Sequence, residues 1–345
     1  MELQKVAYIN SDIALHKMLW FADTNSISQL SYQQKKALLG DDYNMLGMDY
    51  YVGGIYDPTP NAIREIDSSL LIQEWDWRNR HGANDPTKGD FYYDAGSDGE
   101  GWMTKVKNQN TTNNCKGLCY IYAPLGAVEA VANLYFNTKN HRDYDLSIQH
   151  ILDCDNYDGT YDVNGNWIDQ CEGGYPNYVS TFIKNNSQGV LMEEGCYERE
   201  QYPGDCRENT PPNGETDYKI SVENIHYVPG NDSPAIEDIK RYLIKYGPLC
   251  STLDATLEPY FAGSHAMVLT GYGRIKVGDI YHSAVNGGQD TVNNDSQYIN
   301  HTYWIFKNSW GSSWGLNGYF YHIDGPVKPR WDIYYETPIE DKMLG

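Results

Sequence analysis

The spacing of apolar residues changes character along this 345-residue chain. From Cys119 to about Asn137, Ala127, Val128, Val131, Ala132 and Leu134 recur at helical intervals and predict a long helix with one apolar face. Pro124 fits that helix only near its first turn, where a missing backbone donor costs little. Residues 12–21, 30–39, 146–154, 177–184 and 234–246 predict shorter helices. Beyond 246 the helical spacing stops. Apolar residues cluster instead in short runs, and residues 249–253, 266–270 and 303–306 read as buried strands. Residues 274–302 form a long polar excursion between two of these strands, expected to be a surface loop. The pattern gives an α+β chain in three parts. Residues 1–72 are an N-terminal arm that includes a Gly- and Pro-containing linker stretch around residues 53–60. Residues 73–216 are mainly helical, with a polar, Gly-rich insertion at 79–103, and residues 217–345 are β-rich.

Composition narrows the function. Lys and Arg number 26 against 47 Asp and Glu, a net charge of −21, which argues against nucleic acid because phosphate binding needs clustered cations. No apolar run approaches the roughly 18 to 20 residues of a membrane span. The start, Met1-Glu2-Leu3-Gln4-Lys5, lacks the basic-then-apolar design of a signal peptide. Seven cysteines, an odd number, fit a disulfide framework plus free thiols, and disulfides imply an oxidising compartment, secreted or lysosome-like, reached with a signal that this sequence does not show. Cys115 and Cys119 lack a second close Cys or His pair, so zinc is not expected. Asp94, Asp98 and Glu100 match no calcium-loop spacing and read as an ordinary acidic loop. No metal or cofactor is called for.

Three islands carry the chemistry. The first is Lys105-Val106-Lys107-Asn108-Gln109, followed by Cys115-Lys116-Gly117-Leu118-Cys119-Tyr120. The second is Ser264-His265-Ala266-Met267-Val268, and the third is Trp304-Ile305-Phe306-Lys307-Asn308-Ser309-Trp310-Gly311. A thiol is nucleophilic as thiolate, and a helix N-terminus and an adjacent imidazolium both lower its pKa. Cys119 opens the predicted helix and is the candidate nucleophile. His265 is the candidate base and later acid, and Asn308 would orient its ring. Trp310 would cover the His–Asn bond. Gln109 and the Cys119 backbone N–H would form an oxyanion hole.

At these residues the chain resembles the papain-like cysteine peptidases, from about Asp76 to Tyr319, in blocks separated by insertions. The blocks include Asp76-Trp77-Arg78, Cys171-Glu172-Gly173-Gly174-Tyr175-Pro176 and residues 303–319, the last being the most specific. The resemblance implies a two-domain fold, a helical left domain and a β-barrel-like right domain, with the cleft between them. It implies an endopeptidase acting on protein or peptide substrates as a monomer, with Cys119, His265, Asn308 and Gln109 as its catalytic residues. It places Gly173, Gly174 and Trp310 along the cleft and Glu336 near the base of a substrate pocket. It implies disulfides Cys115–Cys171 and Cys154–Cys206, leaving Cys196 and Cys250 extra. Residues 1–72 occupy the place of an inhibitory pro-segment, making the chain a zymogen.

The departures are local. Four more residues than usual separate Gln109 from Cys119, Cys115 and Cys119 stand one residue further apart, and Tyr120 replaces a Trp. No insertion resembles the occluding loop of cathepsin B. A catalytically silent binding protein of the same fold is the alternative. Acyl transfer by a transglutaminase-like protein is disfavoured by Asn308, since those typically use Asp.

Overall fold

The helix that opens at Cys119 is the centre of the molecule. In the computed structural model α1 spans Cys119–Tyr135, and every residue from Tyr120 to Leu134 is buried. The single apolar face expected from the sequence is therefore an underestimate. A helix enclosed on all sides must be apolar almost throughout, and this one holds only Glu129 and Asn133 as long polar exceptions among its buried residues. Pro124 is the sixth helical residue, beyond the first turn, so the helix forgoes one backbone bond inside the core. The structure describes residues 71, 73–78, 101–111, 115–135, 144–155, 159–161, 167–185, 190–191, 197, 200, 203–206, 218–230, 234–253, 264–282, 289–323 and 330–342. All fall within one compact unit, Leu46–Gly345. The helices expected at 12–21 and 30–39, the arm, the acidic loop and Cys196 lie outside the described residues.

Three shorter helices surround α1. α2 (Ile148–Cys154) starts at Ser147, whose Oγ accepts the His150 N–H and donates to the Tyr197 carbonyl, at 3.0 and 2.6 Å. α3 (Pro176–Asn185) begins on a proline, which is preset for a first helical position, and buries Val179, Ser180 and Ile183. α4 (Ile236–Tyr246) carries Glu237 and Asp238 in its first turn and Lys245 in its last, matching the macrodipole, and ends at Gly247 with φ +94°.

Against these helices lies an eight-stranded sheet whose pairings are all antiparallel. Its order is β11 (Tyr319–Ile323), β10 (Thr302–Lys307), β7 (His265–Arg274), β6 (Leu249–Leu253), β12 (Arg330–Lys342), β5 (Tyr218–Tyr227) and β4 (Val190–Leu191), with β1 (Trp75–Asp76) also on β7. The predicted runs at 249–253, 266–270 and 303–306 are its centre, and β7 extends to include His265 itself. The excursion at 274–302 holds a small hairpin of its own, β8 (Ile280–His282) with β9 (Gln289–Thr291), in place of the expected plain loop. Another hairpin joins β2 (Gly159–Tyr161) to β3 (Trp167–Asp169). Strands β5 and β12 were not legible as strands because their apolar residues alternate with polar ones and are interrupted by charge. The fold is the α+β, papain-like architecture.

The contact that matters for the site is α1 against β7. A Cβ at Gly126 would sit 3.2 Å from Val268 Cγ2, tighter than ordinary van der Waals contact. Glycine there lets helix and strand approach closely, with Cys119 on one and His265 on the other.

Candidate active site

Cys119 is the first residue of α1. The N–H groups of Ile121 and Tyr122 both turn back to the Leu118 carbonyl at 2.8 and 3.1 Å, so the helix begins with its free donors beside the sulfur. Burial pushes the Cys119 thiol up. The charge of His265, a hydrogen bond to that side chain and the backbone N–H groups of Ala266 and Tyr120 outweigh burial, and the thiol ends below its ordinary value. His265 moves the other way. Burial lowers its pKa, while the Cys119 charge, the bond to Cys119 and the bond to Asn308 together raise it above the ordinary value. Both shifts run in the direction of a thiolate–imidazolium pair.

Asn308 fixes the ring. Its Oδ1 lies 2.8 Å from His265 Nε2 and 2.8 Å from the Ser309 N–H, and a carbonyl oxygen only accepts, so Nε2 carries the hydrogen and Nδ1 is left for Cys119. The ring of Trp310 lies 4.9 Å from that of His265, centroid to centroid, and Trp314 meets Trp310 edge-on at 5.1 Å. Together they shield the His–Asn bond. His265, Asn308 and Ser309 are all buried, while Cys119 is half-buried and Trp310 partly exposed.

The first and third islands are stitched together by backbone. Gln109 N–H donates to the Ser309 carbonyl at 2.7 Å, and Gly311 N–H donates to the Lys107 carbonyl at 3.0 Å. Positive φ at Gly311, Gly315 and Gly318 shapes the turn that makes this possible, and Asn308 N–H is held by the Gly318 carbonyl at 3.0 Å. The Gln109 side chain is pinned at both ends. Nε2 donates one hydrogen to the Lys116 carbonyl at 2.7 Å, and Oε1 accepts from Ser309 Oγ at 2.5 Å. The second Nε2 hydrogen takes part in neither bond.

Disulfide Cys115–Cys171 and two bonds from Lys116 and Gly117 N–H to the Cys171 carbonyl clamp the widened loop to the 169–173 turn. A second disulfide joins Cys154 to Cys206, and the free cysteines among the described residues are Cys119 and Cys250. Gly174 has a reason beyond substrate access: a Cβ there would lie 2.7 Å from the Tyr120 ring, whose hydroxyl donates to the Gln170 carbonyl at 3.0 Å. Gly173 is half-buried beside it. Glu336 stands in β12 opposite Asn224 of β5, and its side chain lies outside the described residues. No group of metal-ligating side chains occurs among the described residues, and no helix there is long and apolar enough to cross a membrane.

One set of residues was missed from sequence. Thr104, Lys107, Glu129 and Lys307 form a buried hydrogen-bonded chain directly behind Asn308. The available signal was Glu129, an acid in the middle of an otherwise apolar helix, since buried charge is rare unless paired.

Comparison with known proteins identifies the family. The sequence profile of the papain family cysteine proteases matches residues 91–328, and the chain belongs to that family. It is 26% identical over 277 residues to the viral cathepsin of Cydia pomonella granulosis virus (isolate Mexico/1963), covering 75% of this chain and 60% of that protein. It is 29% identical over 267 residues to fruit bromelain of Ananas comosus, covering 74% of this chain and 56% of that one. The chain thus spans less than two thirds of the length of either relative. Among solved structures, the bromelain protease from Ananas comosus in complex with the E64 inhibitor superposes with a TM-score of 0.50 at 24% identity, covering 77% of this chain and 99% of that one.

Proposed function

We propose that this protein is a cysteine endopeptidase. The observation that carries the reading is the Cys119–His265–Asn308 arrangement: a thiol lowered by an imidazole that is itself raised, and whose far nitrogen is held 2.8 Å from an amide oxygen. In that reading the Cys119 thiolate attacks the scissile carbonyl carbon. The carbonyl oxygen takes the negative charge and is met by the Cys119 backbone N–H and the remaining Gln109 Nε2 hydrogen. His265 then gives its proton to the leaving amine, the C–N bond breaks, and an acyl-thioester stays on Cys119. Water attacks this ester with His265 now accepting the proton, which releases the acid and restores the ion pair. Asn308 holds the ring in one tautomer throughout. Gly173 and Gly174 leave room for substrate backbone along the cleft, and Trp310 keeps water from the His–Asn bond. Glu336 would favour basic side chains in the adjoining pocket.

Residues 1–72 are assigned as a self-inhibiting arm, because they precede the family-matched region. An oxidising compartment, secreted or lysosome-like, is consistent with the two disulfides Cys115–Cys171 and Cys154–Cys206.

The direct test is covalent. An irreversible epoxide or thiol reagent should label Cys119 stoichiometrically by mass spectrometry, and His265→Ala should abolish that labelling. Label spread over Cys196 and Cys250, with none on Cys119, would overturn the assignment.

A further inference from the structure

Behind Asn308 a small pocket is lined by Lys107, Gly126, Glu129, Val268, Lys307 and Asn308, among others. One carboxylate dominates it. Glu129 is fully buried, ten residues along α1 from Cys119. Its Oε1 accepts from Lys107 Nζ at 2.7 Å and from the Leu146 N–H at 2.8 Å. Its Oε2 accepts from Thr104 Oγ1 at 2.6 Å, and Thr104 Oγ1 in turn accepts from the buried Lys307 Nζ at 2.9 Å. Lys107 also meets Asp145 Oδ1 at 2.6 Å and the Leu146 carbonyl at 2.9 Å. These are not arbitrary anchor points. Lys107 lies two residues before Gln109, Lys307 immediately before Asn308, and Glu129 on the helix that presents Cys119.

We propose that Glu129 is a positioning residue: its buried carboxylate holds the first and third islands in register and sets the pH window of the Cys119–His265 pair. The inference rests on the endopeptidase reading above. The charged and titratable groups facing Glu129 are Lys107 from the 104–109 segment, Asp145 through Lys107, and Lys307 of β10 through Thr104. Tyr122 of α1 lines the same pocket, and β7 presents His265 beyond it. Two lysines thus face one fully buried carboxylate, with Asp145 more exposed.

The consequence has a sign that mere loosening cannot mimic. Removing the negative charge with Glu129→Gln leaves the lysines under-compensated. Extra positive potential favours the thiolate and disfavours the imidazolium, so both inflections of the pair move to lower pH. Ten residues at ~1.5 Å rise put the charge about 15 Å from the sulfur, and an effective dielectric of roughly 20 makes the shift about half a unit to one unit. A purely structural effect separates sulfur and ring. It would raise the Cys119 inflection while lowering that of His265, drawing the two together.

The measurement is the rate of Cys119 carbamidomethylation by iodoacetamide against pH on the full chain, located by mass spectrometry. Wild type should show two inflections, one below and one above the ordinary thiol and imidazole values respectively. Glu129→Gln should displace both downward, and Lys307→Met, which removes a positive charge, should displace both upward. If Glu129→Gln does not fold, the upward displacement by Lys307→Met decides alone. Unmoved or converging inflections in the variants overturn the role of Glu129 and leave the peptidase reading standing. A single ordinary thiol titration in wild type overturns the peptidase reading itself.

Discussion

The Oδ1 atom of Asn308 holds two donors at once, the His265 ring and the Ser309 peptide, and rotating the amide would lose both. This makes the residue a sharp probe. Asn308→Ala should lower kcat by about 100-fold with KM little changed, since a misplaced base affects the transition state more than binding. Asn308→Asp adds a negative charge beside Nε2, favours the imidazolium, and should move the alkaline limb of the activity profile upward. The wild-type profile follows from the directions of the two shifts. Activity rises as pH climbs through the lowered Cys119 value and falls as it passes the raised His265 value. At this scale the sequence was most informative, because chemistry confines Cys119, His265 and Asn308 to few residue types. It was silent on Tyr120, whose ring obliges position 174 to be glycine, because that contact spans 54 residues and depends on packing alone.

Elements set how closely those residues meet. Gly126 brings α1 onto β7, so Gly126→Val should push the helix from the strand and widen the Cys119–His265 separation. A drop in kcat with a raised thiol inflection, measured by alkylation against pH, is the expected outcome; an unchanged inflection would show that the strand gives way instead. α2 makes a different prediction. Its His150 is buried, stacked on Tyr197 at 4.9 Å, and burial followed by the nearby Lys219 charge pushes its pKa down to about 4. The unfolded chain takes up that proton near pH 6.5 and the folded chain does not. Stability therefore falls as pH drops between these values, by up to about 3 kcal/mol. His150→Phe should flatten that slope in denaturant titrations from pH 7 to 4. The long helix and the central strands β6, β7 and β10 were legible because burial on both sides leaves near-continuous apolar runs. Strands β5 and β12 were not, since alternation with charged residues hides them among loops.

For the whole molecule, the arm is the open variable. Incubating the full chain at about pH 4 to 5, where carboxylates approach their reference pKa values, should release peptidase activity together with a fragment covering about residues 1–72, read by gel and by peptide turnover. Full activity of the intact chain would show that the arm does not inhibit. The acid slope assigned to His150 limits how long that incubation can last before the catalytic region itself loosens. The long helix and the central strands were visible as different apolar periods. The stitching between the first and third islands was not, because it runs through backbone groups that every residue shares.

That stitching also fixes when the site can exist. The Gln109–Ser309 and Lys107–Gly311 backbone bonds close a loop of about 200 residues, a long-range contact that forms only after most of the chain has collapsed. During synthesis the thiol of Cys119 emerges some 190 residues before the asparagine that orients its partner. A growing chain therefore carries Cys119 as an isolated thiol, without the imidazole that lowers its pKa or the amide that orients that ring, until residues 265 and 308 have joined it.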